Sequence, residues 1–129
     1  MHEWALAEAV VEYVRRVAGG GAIAKLTLGL GELQAIDEEV FKFALRELFK
    51  EYGIEVRELR IEHEECLLKC RACGHVWRLK DANLEEDVRE AIHFVPEVIH
   101  SYLRCPKCGS RDFEVIGGRG VSVKEVVKA

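Results

Sequence analysis

From Glu3 to Ala18 apolar residues recur every third or fourth position, at Leu6, Val10, Tyr13, Val14 and Val17. That spacing places them on one side of a helix, which Gly19-Gly20-Gly21 brings to an end. The period then changes to two: Leu26, Leu28 and Leu30 alternate with Lys25, Thr27 and Gly29, as in a strand with one buried face. A second helix starts at Asp37, a good N-cap. Ile36 and Phe41 are placed as a hydrophobic staple, and Glu38 and Glu39 lie at the positive end of the dipole. Its apolar stripe, Phe41, Leu45, Leu48 and Tyr52, stops at Gly53. Extended segments are predicted around Leu59-Arg60-Ile61 and Cys66-Leu67-Leu68. Phe113 to Ile116, Gly117 to Gly120 and Val121 to Val123 read as strand, hairpin turn and strand. In between, Leu84, Val88, Ala91 and Ile92 mark a short helix that Pro96 interrupts, and Val98, Ile99 and Leu103 suggest a further helical turn or two.

With 129 residues the chain has room for a compact domain plus a small metal-stapled one. If the last strands return to the first domain, the fold is α+β. A two-layer domain, 1–64 plus 114–129, carries two helices on a small three-stranded sheet. A ribbon domain, 65–113, is inserted in it, with its own helical insertion over 81–104.

Cysteine spacing brings in the chemistry. Cys70-Arg-Ala-Cys73-Gly and Cys105-Pro-Lys-Cys108-Gly are two short pairs separated by 31 residues, and two such turns supply the four soft ligands of a tetrahedral structural zinc ion. Gly74 and Gly109 support this, because a residue without Cβ takes the left-handed backbone that lets nearby amides point at the thiolates. Disulfides would need an oxidising compartment, and a redox CxxC normally comes singly at a strand-to-helix junction. Cys66 is the odd thiol; with four sulfurs completing the tetrahedron, it reads as a small buried residue in a strand. His63 shares the phase of Leu59 and Ile61 and is expected half-buried, while His75 could replace a sulfur that already has no vacancy to fill.

Charge narrows the classes. The chain carries a net −4, and residues 66–113 hold eight Lys or Arg against seven Asp or Glu, which gives little pull on a phosphate backbone. The competing reading is a zinc-ribbon nucleic-acid or transcription-related module with Lys69, Arg71, Arg78 and Lys80 as backbone contacts. No apolar run is long enough to span a bilayer and the N-terminus lacks the pattern of a signal peptide, so a cytoplasmic protein without membrane insertion is expected. The Gly29-Leu30-Gly31-Glu32-Leu33 stretch lacks phosphate-loop spacing and reads as a strand end. A closed sulfur shell leaves no open position for substrate, which argues against an enzyme.

His2 has chemistry of its own. A free α-amine, a deprotonated backbone amide and an imidazole can form fused chelate rings in one plane, a donor set that suits square-planar Ni(II) or Cu(II) and fits zinc poorly.

Met1-His2-Glu3 ahead of an amphipathic helix, Gly31-Glu32-Leu33 after the first strand, and the paired CxxC turns together resemble the HypA/HybF nickel metallochaperones. The resemblance covers essentially the whole chain, and Ile92-His93-Phe94-Val95-Pro96-Glu97 is similar to the archaeal members. It implies a nickel-binding domain with Met1, His2 and Glu3 as the nickel site, and a zinc-ribbon domain with Cys70, Cys73, Cys105 and Cys108 as the zinc site. It also implies a role in [NiFe]-hydrogenase assembly. On that resemblance Ni(II) is expected as transported cargo and Zn(II) as a structural ion, with a HypB-type nucleotide-hydrolysing factor and the hydrogenase large subunit as partners and weak self-association left open. Some members also serve urease maturation. The fourth nickel donor is Glu3, through its backbone nitrogen or as an orienting carboxylate, or a histidine of the insertion. His93 is preferred to His100 because it directly precedes the Phe94-Val95-Pro96 break.

Overall fold

The structure is a computed structural model and describes residues 2–129. Its elements, in chain order, are α1 (His2–Ala18), β1 (Ile23–Gly31), α2 (Glu38–Glu51), β2 (Leu59–Glu64), β3 (Leu67–Cys70), β4 (Val76–Arg78), α3 (Glu86–Phe94), α4 (Ile99–Tyr102), β5 (Phe113–Gly117) and β6 (Val121–Lys128). Single 3-10 turns at Leu79–Asp81 and Pro96–Val98 complete the list. The strands form two three-stranded sheets, β2-β1-β6 and β4-β3-β5. The chain divides into two compact units. One takes in the chain up to Gly29, Ile36–Glu62 and Val121–Ala129; the other is Leu30–Ala35 with His63–Gly120.

In the first unit α1 and α2 pack on each other, and α1 also reaches β6. Asp37 caps α2 as its composition predicts, the side chain accepting from the Val40 amide at 3.2 Å. The other end closes with the Ile54 amide donating to the Phe49 carbonyl at 2.9 Å across Gly53. The bridge Ile23 to Val56 is parallel, so β1, α2 and β2 make a β-α-β unit. β6 runs antiparallel to β1, with Gly31 N donating to Gly120 O at one end and Ala129 N to Ala22 O at the other.

The buried sides of the two helices are rotated from those their periodicity suggests. α1 buries Glu3, Ala7, Val10, Val11, Val14 and Ala18, leaving Tyr13 and Val17 exposed. α2 buries Phe41, Ala44, Leu45 and Phe49, with Tyr52 exposed. The cause is packing: Ala7, Ala18 and Ala44 fill buried positions, and the bulky Tyr13 and Tyr52 lie exposed, Tyr52 under the Arg15 guanidinium at 5.1 Å.

The second unit is built on an antiparallel sheet in which Leu68 faces Trp77 on one side and Val115 on the other, and Cys70 faces Phe113. Its core is Leu33, Cys66, Leu68, Cys70, Trp77, Leu79, Ile92, Ile99, Leu103, Cys105 and Phe113, so the helical insertion contributes Ile92 and Ile99 to the same core as the cysteine turns. Strand β4 has no clear sequence signal because it is three residues long and leads straight out of a cysteine turn. His63, expected half-buried, is exposed, because the alternation of β2 breaks after Ile61.

The Gly117 to Gly120 stretch is not a hairpin: β5 and β6 belong to different sheets. It passes instead against the segment following β1. Leu33 N donates to Gly118 O at 3.0 Å, and Gly120 N to the side-chain oxygen of Gln34 at 2.6 Å. A Cβ on Gly31 would stand 2.4 Å from the Gly118 carbonyl, and one on Gly118 would stand 2.3 Å from Glu65 O. Both glycines are therefore required by the close approach of three backbones.

Candidate metal centres

The two cysteine turns are built alike. In the first, Cys70 N donates to His75 O and Gly74 N to Cys70 O, both at 2.9 Å; in the second, Cys105 N donates to Ser110 O and Gly109 N to Cys105 O, both at 2.8 Å. Gly74 and Gly109 share a φ of +78°, the left-handed backbone for which glycine is suited. β3 delivers the first turn and β5 leaves the second, and their pairing of Cys70 with Phe113 brings the turns together. The Arg71 guanidinium ties them further, donating to the Asp112 carboxylate at 3.0 Å.

As a result the Sγ atoms of Cys70, Cys73, Cys105 and Cys108 all lie within 4.8 Å of one another. Cys70 and Cys108 are 3.5 Å apart, and Cys73 and Cys105 3.6 Å. A tetrahedral ion with metal–sulfur bonds of about 2.3 Å needs sulfur–sulfur edges of about 3.8 Å, so the residues fit one. The electrostatics point the same way. The amides of Cys73 and Ala72 hold the Cys70 thiol below its ordinary range. Burial opposes ionisation of Cys105, yet the amides of Cys108 and Lys107 bring it down to about 7. The Ser110 amide favours the Cys108 thiolate, but the crowding of Cys70, Cys73 and Cys105 pushes it up to about 12. Four thiolates cannot all ionise at this spacing without a cation among them.

The remaining candidates fall outside this cluster. His75 stacks on Trp77 with ring centres 6.0 Å apart and is not a ligand, and Cys66 is fully buried just ahead of β3, its thiol pushed up to about 12 by burial. His100 lies on Phe113, its ring 4.4 Å away, with Nδ1 facing Arg111 O. His93 lies in the last turn of α3, and its Nδ1 bonds the Gln34 carbonyl. A carbonyl can only accept, so that bond places a proton on Nδ1, the nitrogen by which a metal-binding histidine is commonly oriented.

At the chain start, Met1 lies outside the described residues. His2 is half-buried in the first turn of α1. Glu3 is only 6% exposed, and its carboxylate accepts from the Asp37 amide at 3.0 Å. Burial works against its charge, but that bond and its own amide outweigh it and hold the carboxyl below the ordinary range. Glu3 thereby pins the first turn of α1 to the start of α2, a positioning role that its sequence neighbours do not reveal.

Two further residues escaped the sequence reading of Gly29 to Leu33 as a mere strand end. Glu32 accepts from the Cys66 amide at 2.9 Å, and Gln34 holds both Gly120 and His93. The only signal was the triplet Gly31-Glu32-Leu33 itself.

A family model described as hydrogenase/urease nickel incorporation, metallochaperone, hypA matches residues 1–127. Among curated relatives, a hydrogenase maturation factor HypA of Pyrococcus furiosus is 49% identical over 132 residues, covering 98% of this chain and 95% of that protein. One from Methanopyrus kandleri is 33% identical over 130 residues, covering 98% and 92%. The solution structure of the Ni metallochaperone HypA from Helicobacter pylori has a TM-score of 0.61 at 20% identity, over 98% of this chain and 96% of that one, so the fold is shared. The chain belongs to the HypA family of nickel-incorporation metallochaperones, proteins that carry metal rather than catalyse a reaction.

Proposed function

We propose that this chain carries Ni(II) as cargo, bound at its N-terminus, and delivers it to the large subunit of [NiFe]-hydrogenase in the cytoplasm, together with a HypB-type nucleotide-hydrolysing factor. The α-amine of Met1 and the amide and imidazole of His2 supply in-plane nitrogen donors. Glu3 positions them, and His93 supplies the fourth donor from the helical insertion. The first unit, with the N-terminus, is the nickel-binding domain, and the second, with the cysteine turns, is the ribbon. Cys70, Cys73, Cys105 and Cys108 hold Zn(II), whose chemistry here is to neutralise and cross-link four thiolates.

The observation that carries this reading is the buried Glu3 carboxylate on the Asp37 amide. A first turn anchored in this way fixes the backbone from His2 onward, which lowers the entropy cost of chelation. Amine, amide and imidazole must all lose protons or hold lone pairs for nickel, so uptake weakens with acidification and release needs only one protonated donor. The nucleic-acid reading is weakened by the ribbon's charge balance, eight Lys or Arg against seven Asp or Glu over residues 66–113, which leaves little net pull on a phosphate backbone.

Calorimetric nickel titration of the zinc-loaded protein tests the site. His2→Ala, or residues added ahead of Met1, is expected to weaken nickel binding by more than about 100-fold while zinc content stays at one equivalent. His93→Ala is expected to cost about tenfold. Undiminished nickel binding in the first two variants refutes the N-terminal site, and an unchanged affinity in the third removes His93 from it.

A further inference from the structure

Within the first unit, α2 and the segment leading into β2 enclose a groove of about 300 Å³ lined by Lys42, Leu45, Arg46, Phe49, Val56, Arg57 and Leu59. Its floor is apolar: Leu45 and Phe49 are buried, and Val56 and Leu59 are half-buried. Among the described residues its lining includes three cations and no carboxylate, with Glu38 and Glu55 standing just outside it, in a chain whose net charge is −4. Lys42 and Arg46 stand four residues apart on α2, one helical turn, and Arg57 approaches from the other element.

The native partners of these cations are weakly held. Lys42 meets Glu38 at 3.4 Å and Arg57 meets Glu55 at 3.8 Å, both pairs partly or well exposed. Arg46 bonds only the Lys42 carbonyl, at 3.4 Å, and has no carboxylate partner among the described residues. Exposed pairs of this kind contribute little and are readily exchanged for a carboxylate that arrives with an apolar anchor. An apolar slot rimmed by one sign of charge concentrates ligands of the opposite sign.

We propose that this groove docks an acidic peptide segment of a partner protein, with an apolar side chain over Leu45 and Phe49 and flanking carboxylates on Lys42, Arg46 and Arg57. The proposal is independent of the N-terminal nickel site, and it assigns partner binding to a surface made wholly within the first unit.

The probe is a blocked hexapeptide with two acidic residues on each side of a Leu-Phe pair, titrated into the full-length, zinc-loaded, 15N-labelled protein. Amide shifts are expected to concentrate on Lys42 to Phe49 and Val56 to Leu59, and the affinity is expected to fall with added salt. Arg46→Glu and Arg57→Glu are each expected to weaken binding about tenfold, with Arg46→Lys retaining most of it and all variants keeping the far-UV spectrum of the parent. Replacing Leu-Phe by Gly-Gly in the peptide is expected to abolish the shifts. The proposal is overturned if the shifts fall elsewhere, if Arg46→Glu and Arg57→Glu titrate like the parent, or if the Gly-Gly peptide or inorganic phosphate reproduces the shifts.

Discussion

The first unit buries its core with helices of 17 and 14 residues over strands of nine, six and eight, whereas the second works with strands of four, three and five and helices of nine and four. Long amphipathic elements can bury enough apolar surface to hold themselves; short ones cannot, and the second unit adds four sulfurs around one point. Under the proposed function the same contrast governs metal handling. Four thiolates that close a tetrahedron retain their ion, and a chain end with a few nitrogen donors is suited to giving one up.

Removing the metal is the harshest test of this comparison. A strong chelator, or Cys105→Ser, should cost the second unit on the order of 10 kcal/mol of metal-linked folding energy. Amide signals of Leu67–Arg78 and Phe113–Gly117 should lose their dispersion while the helical signal of α1 and α2 persists. Loss of both units together would show that the first does not stand on its own core.

Next in size is the strap of close backbones. Gly31→Ala and Gly118→Ala put a methyl group within 2.4 Å of backbone and should each lower stability by about 3 kcal/mol or more in thermal melts of the zinc-loaded protein. Gly20→Ala, at a positive φ with nothing within 4 Å of its Cβ, should cost only about 1 kcal/mol. Equal costs would mean that the strap yields and does not constrain the second unit.

The smallest effects separate the units by pH. Glu3 in the first unit has a lowered folded pKa, so its contribution is present above the usual carboxylate range near 4.5 and is lost as pH falls through the folded value. Glu3→Gln should flatten that acid limb and cost about 1–2 kcal/mol at neutral pH. Cys66 in the second unit has its thiol raised to about 12, so its contribution is complete below the unfolded thiol's pKa and declines as pH rises toward 12. Denaturant unfolding at pH 10 should show the parent losing about 1–2 kcal/mol relative to its own value at pH 7, a loss that Cys66→Ala does not share. A Cys66→Ala protein with the same alkaline decline would assign that decline to another group.

Much of this architecture is legible in the amino-acid sequence. The change of period from 3.6 to two marked α1 and β1, Asp37 and Gly53 bounded α2, and the spacing of Cys70, Cys73, Cys105 and Cys108 gave the sulfur cluster. Less was visible where a residue's role depends on something distant in sequence. Tyr13 and Val17 looked buried because periodicity counts apolar residues without knowing what packs on them. Glu3 read only as a member of the nickel site, and it took the tertiary structure to set the Asp37 amide beside its carboxylate. The Gly117 to Gly120 run has the composition of a hairpin, and nothing local says that its flanking strands join different sheets.

The amino-acid sequence by itself determined the local conformations, the four metal-binding thiols and the family, because capping, periodicity and ligand spacing act over a few residues. Tertiary structure alone decided the parallel pairing of β1 with β2, the approach of Gly118 to Gly31, the carbonyl that orients His93 and the cations that surround the apolar groove. Each of those joins residues far apart in the chain, and such contacts are chosen by the packing of whole faces, which no short window of sequence contains.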